Sequence, residues 1–423
     1  MTLTFDMLQT LGLSVLAFLL GVGVKNKVKF FQTYFIPAPV IGGLIFSFLI
    51  FLFDQAHLLE VKFDPTLQDF FMNLFFTCIG FTCSMAVLKK SGRLGALLAL
   101  SIILMLLIQD LVGVSLAPRL GLHPLLGLSM GSISMSGGLG SALSFGPILE
   151  DAGAFGATAV GAASATFGLV LGSFAGGPVA NRLIRKYDLR SEYEDPNQER
   201  EGENRQPGPA TLKERPTRTM DEALIFSSVV LVLLAAFFGT YLGKLLNLTG
   251  LKFPYYVGCQ FSGAIFRNLL DAKENIQAGP RNSLPFDLLP FTMEETMGGI
   301  NLLGKISLDL FLSMAIMTLN IRQLLNLALP MIVILMVQTV VMMAWAYTVD
   351  FSLLGKNYDA AVVAAGHCGV GLGQTPNAIA NMATIIEQHG PAPVAWFLLP
   401  VVMAIAINLM NPVIITVFIR IFQ

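Results

Sequence analysis

Apolar runs long enough to cross a bilayer recur along almost the whole chain, and charged residues crowd into one stretch between Tyr187 and Arg218. A hydrocarbon span takes about 20 predominantly apolar residues. Five such runs precede the charged stretch, at 4–24, 38–53, 68–88, 95–117 and 156–181. Five follow it, at 222–245, 254–270, 304–319, 327–349 and 393–419. Only 13% of the 423 residues are charged, against about 25% in soluble domains. Lipid offers backbone groups no partner outside a helix, so the expected fold class is an all-α polytopic membrane protein.

The formal net charge of −1 gives a nucleic-acid partner no support. Cys78, Cys83, Cys259 and Cys368 show neither a disulfide framework nor metal-ligand spacing, and read as small buried hydrophobes. The first run lacks a basic leader and is expected to be kept as a span. Basic residues follow spans one (Lys25, Lys27, Lys29), three (Lys89, Lys90, Arg93) and five (Arg182, Arg185, Lys186), whereas Asp54, Glu60 and Asp64 follow span two. Basic loops stay inside, which places both termini outside and the 187–220 linker in the cytoplasm. That linker carries Pro196, Pro207, Pro209 and Pro216 and too few apolar residues to fold. It reads as a tether between two halves, 1–186 and 221–423. His57, His123 and His389 read as solvated loop residues.

The halves echo one another. Ile36-Pro37 recurs as Phe253-Pro254, Leu74-Phe75 as Leu310-Phe311, Ile108-Gln109 as Val337-Gln338, Gly138-Leu139-Gly140 as Gly371-Leu372-Gly373, and Pro178-Val179 as Pro412-Val413. Shared order at a nearly constant offset of roughly 220 to 235 residues marks an internal duplication. Five spans is an odd number, so the second copy sits inverted in the bilayer, as in many secondary transporters.

Two weakly apolar segments, about 127–149 and 360–386, are broken by Gly and Pro and read as re-entrant hairpins, one in each repeat. Unwound backbone survives at membrane depth only where it is buried or lines a cavity. Helix N-termini there offer N–H groups to an anion, and bare carbonyls suit a cation. The substrate-binding residues expected on this ground are Ser136, Gly137, Gly138, Gly140 and Ser141 in the first segment, and Gly371, Gly373, Thr375, Asn377 and Asn381 in the second. Pro376 suits the first turn of a helix beginning near Thr375. Sodium candidates are Ser134, Gly369, Asn408 and Asn411; the two asparagines are three apart and are expected to share a face of the last helix. Neither 127–149 nor 366–386 contains Lys, Arg, Asp or Glu. A co-transported cation would therefore supply the charge that an anionic substrate requires, and Arg267 or Lys305 folded inward is the competing source. Ionisable groups in apolar runs default to a functional reading: Asp110, Asp309, Asp359 and His367 are secondary candidates, Asp359 with an N-cap role as its alternative. Gln109 and Gln338 stand out in the same way.

A membrane protease would need Gly-x-Ser-Gly with a histidine, but the residue two before Ser136 is Ser134. A channel fits inverted repeats as well; saturable sodium-dependent uptake separates it from a carrier.

The wording of two blocks is similar to one family. Ala165-Thr166-Phe167-Gly168-Leu169-Val170-Leu171-Gly172 with Gly176-Gly177-Pro178-Val179-Ala180 resembles the bacterial sodium/glutamate symporters. So do Gly355-Lys356-Asn357-Tyr358-Asp359, Ala364-Ala365-Gly366-His367-Cys368-Gly369 and Thr375-Pro376 with Ala378-Ile379-Ala380-Asn381-Met382. The resemblance implies sodium-driven symport of L-glutamate across the bacterial inner membrane, without covalent chemistry or a prosthetic group. It implies a homodimer of two inverted five-helix domains moving elevator-fashion, with the glycine-rich tips as substrate region. Leu139 and Asn408 depart from the family pattern, which often has a polar and an acidic residue there. The alternative is the same architecture carrying aspartate or a di- or tricarboxylate.

Overall fold

The computed structural model describes residues 2–55, 60–191, 222–249, 253–277, 293–319 and 321–423. His57 and all but the first residues of the expected tether, 187–191, lie outside them.

Apolar runs become helices because each backbone N–H then finds its acceptor four residues back. The first half runs through α1 (Met7–Lys27), α2 (Lys29–Thr33), α3 (Ala38–Gln55), α4 (Thr66–Phe81), α5 (Met85–Lys90) and α6 (Gly92–Arg119). It continues with the short helices α7 (Pro124–Ser129) and α8 (Ser132–Met135), then α9 (Gly138–Asp151) and the long α10 (Ala157–Tyr187). The second half contains α11 (Glu222–Asn247), α12 (Tyr255–Gln277), α13 (Met293–Met317) and α14 (Ile321–Trp345), then a π-helical turn at Ala346–Asp350 and α15 (Phe351–Leu353). The pair α16 (Tyr358–Leu372) and α17 (Thr375–His389) follows, and α18 (Pro393–Ile405) and α19 (Asn411–Phe422) end the chain around a second π turn, Ala406–Met410.

Eight helices among the described residues are long and apolar enough to cross a membrane, which makes this a multi-pass membrane protein. The other two expected spans differ. Residues 38–53 form a shorter apolar helix. The run at 254–270 is the front of α12, whose second half turns polar and holds an Arg267–Asp271 ion pair at 2.9 Å. That pair ties Arg267 to its own helix, away from the inward role considered for it. Span three breaks at 82–84 into α4 and α5. The first helix begins at Met7, because Thr2–Thr4 instead forms a strand (β1) paired in parallel with Glu60–Lys62 (β2). Strands of three residues leave no periodicity to read.

The helices sort into two packing groups. α1, α3, α4, α11, α12 and α13 pack on one another. Small residues set the closest approaches: a Cβ on Gly21 or Gly42 would strike the α3 or α1 backbone, and one on Gly239 or Gly258 would strike α12 or α11. The same device thus recurs at corresponding places in the two halves. The second group gathers α6 to α10, α14 and α16 to α19 around α10, which packs on α9, α14, α16 and α17. Gly168 and Gly172 of α10 allow that approach, for a Cβ on Gly172 would lie 3.0 Å from the Gly369 carbonyl oxygen. The groups meet where α3 packs on α14 and α9 on α13.

Candidate functional site

Both expected segments are helix–break–helix units, and the breaks fall at glycine. In the first, chain direction changes at Met130–Gly131 and again at Ser136–Gly137 before α9 begins at Gly138, whose φ is +68°. In the second, α16 stops at Gly373, Gln374 is extended, and α17 starts at Thr375 with Pro376 in its first turn. Gly138 permits the left-handed backbone, and its absent Cβ would sit 3.0 Å from Gln374 Nε2. The two tips therefore touch.

One amide ties them from below. Gln109 of α6 donates from Nε2 to the Gly371 carbonyl oxygen at 2.6 Å, and its Oε1 accepts from Ser136 Oγ at 2.7 Å. Ser136 Oγ is also 3.4 Å from the Gly371 oxygen. Gln338 Nε2, from the other half, donates to the Gln109 carbonyl at 2.7 Å and to the Met130 carbonyl at 3.5 Å. Gln109 and Gln338 thus meet, Gln109 reaching the second break and Gln338 the first.

Around the first break, the Ser132 backbone N–H donates to Asp110 Oδ1 at 2.8 Å. Ser132 Oγ donates to Asn411 Oδ1 at 2.6 Å, and Asn411 Nδ2 returns a bond to the Ser132 carbonyl at 3.1 Å. Asp110, Ser132, Ser134 and Asn411 are all buried. Ser134 Oγ, Asp110 Oδ2 and Gln338 Oε1 have no hydrogen-bond partner.

The remaining expected residues take different places. Gly140 faces α4, its Cβ position 3.1 Å from the Phe75 ring, and Gly369 packs on Ala378 of α17. Gly137 lies over Ser141, whose Oγ would be 2.7 Å from a Cβ there. Thr375 is exposed at the α17 tip. Asn377 Nδ2 donates to the Leu169 carbonyl at 2.8 Å and to Ser173 Oγ at 2.7 Å, and Asn381 Nδ2 donates to the Gly172 carbonyl at 2.9 Å. Both amides clip α17 to α10, Asn377 from within the first turn and Asn381 from one turn further on. The π turn Ala406–Met410 changes the angle between Asn408 and Asn411, and the Asn408 backbone carbonyl accepts from Gln260 of α12 at 2.7 Å. Asn357, not Asp359, caps α16; Asp359 accepts from the Ala395 N–H at 2.9 Å. Asp309 sits on α13 in the other packing group. His123 caps α7, and His389 ends α17 with Nε2 3.0 Å from Asn181 Oδ1, so neither is a free loop residue.

His367 acquires a partner that the sequence reading missed. Its Nδ1 is 2.6 Å from Asp350 Oδ2, with both groups buried. Asp350 Oδ1 accepts from Ser101 Oγ, which accepts from Trp345 Nε1 at 2.9 Å. Asp350 lies just past an apolar run, at the end of the π turn, where composition alone suggests a loop. Gln374, between Gly373 and Thr375, is a further polar residue at the second tip.

In chemical terms the second group brings together two glycine-bounded helix starts, a buried carboxylate and several unpartnered oxygens, with no histidine, cysteine or carboxylate cluster able to hold a metal among the described residues. Such a set can bind and orient small ions. A family model described as sodium/glutamate symporter matches residues 3–391. The chain is 36% identical over 416 residues to the sodium/glutamate symporter of Escherichia coli (strain K12), covering 98% of this chain and 97% of that protein. It is 32% identical over 414 residues to the sodium/glutamate symporter of Haemophilus influenzae, covering 97% and 96%.

Proposed function

The chain belongs to the sodium/glutamate symporter family, and we propose that it carries L-glutamate into the cell with sodium as coupling ion. The meeting of both helix breaks at one point carries this reading. Gly138 against Gln374, and Gln109 bridging Ser136 to Gly371, put the two glycine-laced tips in one buried polar spot. The N-terminus of α17 starts beside this spot, and its helix dipole is worth about half a positive charge. No Lys or Arg lies within 127–149 or 366–386. A bound cation therefore completes the neutralisation of an acidic solute, which makes symport the physical expectation.

In this reading the two breaks are re-entrant hairpins entering from opposite sides, and the halves are inverted copies. The matching order of elements and the repeated glycine crossings support it. The two packing groups support alternating access: α6 to α10 with α14 and α16 to α19 would move, carrying the site, against α1, α3, α4 and α11 to α13. The fixed group would form the homodimer. The protein would sit in the bacterial inner membrane with both termini outside and the 187–220 linker in the cytoplasm. No prosthetic group is required.

Reconstituted uptake tests this. In proteoliposomes, an inward sodium gradient is expected to drive saturable accumulation of L-glutamate, which choline in place of sodium abolishes. Sodium-driven uptake of labelled aspartate, malate or citrate, with none of glutamate, would transfer the assignment to that carboxylate.

A further inference from the structure

Asp110 is completely buried in the middle of α6, and half of its carboxylate is unused. Oδ1 accepts from the Ser132 N–H at 2.8 Å; Oδ2 has no partner. The approach is enforced by Gly131, whose Cβ would stand 2.7 Å from Oδ1. The buried acidic or basic side chains among the described residues are Asp110, Asp350 and His367. The latter two are bonded to each other and, through Ser101, sit nine residues toward the start of α6, about 13 Å away along the axis. No buried Lys or Arg accompanies Asp110. An ionised carboxylate in such a place is expensive without a cation.

A proton would satisfy one oxygen. Two more oxygens attached to the same break also lack partners. Ser134 Oγ belongs to α8, whose first N–H rests on Asp110. Gln338 Oε1 belongs to the amide that donates to the carbonyls of Gln109 and Met130. One negative charge with neutral oxygens and no soft ligand is the donor set of a hard monovalent cation. We propose that Asp110 is the charged ligand of a sodium site at the first helix break, with Ser134 and Gln338 supplying neutral oxygens. This rests on the sodium-coupled reading and gives it a place in the molecule.

The test uses the purified full chain without glutamate. Binding of radioactive sodium, and the unfolding midpoint as NaCl replaces choline chloride, report occupancy independently of transport. The wild type is expected to saturate. Asp110→Asn keeps the shape and removes the charge, and should raise the half-saturating sodium concentration about tenfold or more. Ser134→Ala should raise it about threefold, since one neutral ligand is lost. An Asp110→Asn protein that binds sodium as the wild type does, and melts higher in choline, overturns the proposal in favour of a protonated carboxyl. If that variant does not accumulate, an unchanged half-saturation in Ser134→Ala overturns it. A wild type with no saturable sodium binding sinks the transport reading as well, so the two failures are distinguishable.

Discussion

Gln109 holds Gly371 and Ser136 at once: its Nε2 donates to the Gly371 carbonyl at 2.6 Å while its Oε1 accepts from Ser136 at 2.7 Å. A single buried amide thus couples the break of one half to the break of the other. Gln338 holds that amide's own backbone.

Gln109→Leu is expected to strand the Gly371 carbonyl, with Ser136 left only its longer contact to the same oxygen. Each unsatisfied buried group costs about 1–3 kcal/mol. The tips would lose their common register, so glutamate uptake should fall by more than the drop in unfolding midpoint explains. Gln109→Glu keeps the side-chain volume and the Ser136 acceptor but sets an oxygen against the Gly371 oxygen, and should leave the unfolding midpoint below that of the wild type. Uptake and thermal unfolding measured on both variants check this. Wild-type uptake by Gln109→Leu would show that the bridge is dispensable.

Gly371 offers a graded version of the same test. A Cβ there would stand 2.5 Å from Met342 Sδ and 3.2 Å from its Cε. Methionine is flexible enough to yield a little. Gly371→Ala should therefore insert and retain reduced uptake, whereas Gly371→Leu should abolish uptake in a protein that still folds and inserts. Pairing Gly371→Ala with Met342→Ala should return part of the lost rate. Normal transport by Gly371→Leu would count against the tip as a working surface.

Much of this fold was legible because hydrocarbon imposes long apolar runs, and such runs are visible one residue at a time. The breaks were legible too: Gly138 and Gly373 stand out in a chain that elsewhere has no reason to unwind. What the sequence hid depends on partners far along the chain. Asn377 and Asn381 lie on one face of α17, and their Nδ2 groups reach the Leu169 and Gly172 carbonyls some two hundred residues away. The π turn at Ala406–Met410 changes the angle between Asn408 and Asn411, and nothing in a helical pattern announces an extra residue per turn. Asp350 was hidden for the same reason, at the end of the other π turn.

The crossing of α1 and α3 gives a prediction about folding alone. Gly21 and Gly42 bring the two backbones into contact, and a Cβ on Gly42 would collide with the Ala17 carbonyl oxygen. Overpacking of this kind costs about 1–3 kcal/mol, and more where the obstacle is backbone. Gly42→Val should lower the unfolding midpoint in detergent and the amount of protein inserted, while Gly12→Val, whose Cβ would meet nothing within 4 Å, should change neither. Equal midpoints for the two variants would contradict this crossing.

The pair His367–Asp350 has to be disturbed in both partners to be understood. Breaking a buried hydrogen-bonded pair by removing one member leaves the survivor unsatisfied, at a cost of about 1–3 kcal/mol, whereas removing both costs less. Asp350→Asn keeps an acceptor for Ser101 but loses the carboxylate that faces His367 Nδ1. His367→Gln keeps a polar group and loses the imidazole. Each single variant should destabilise by more than the double variant, giving a coupling of at least about 1 kcal/mol in a double-mutant cycle. The chain has two tryptophans, Trp345 and Trp396, and Trp345 Nε1 donates into this network through Ser101. In a Trp396→Phe background, Asp350→Asn should therefore shift the remaining indole emission, because the hydroxyl that accepts its N–H loses its charged partner. Additive destabilisation with unchanged emission would mean that His367 and Asp350 are neighbours without being coupled. Residues Gly366 to Gly373, at the end of α16, would then be positioned by helix packing alone.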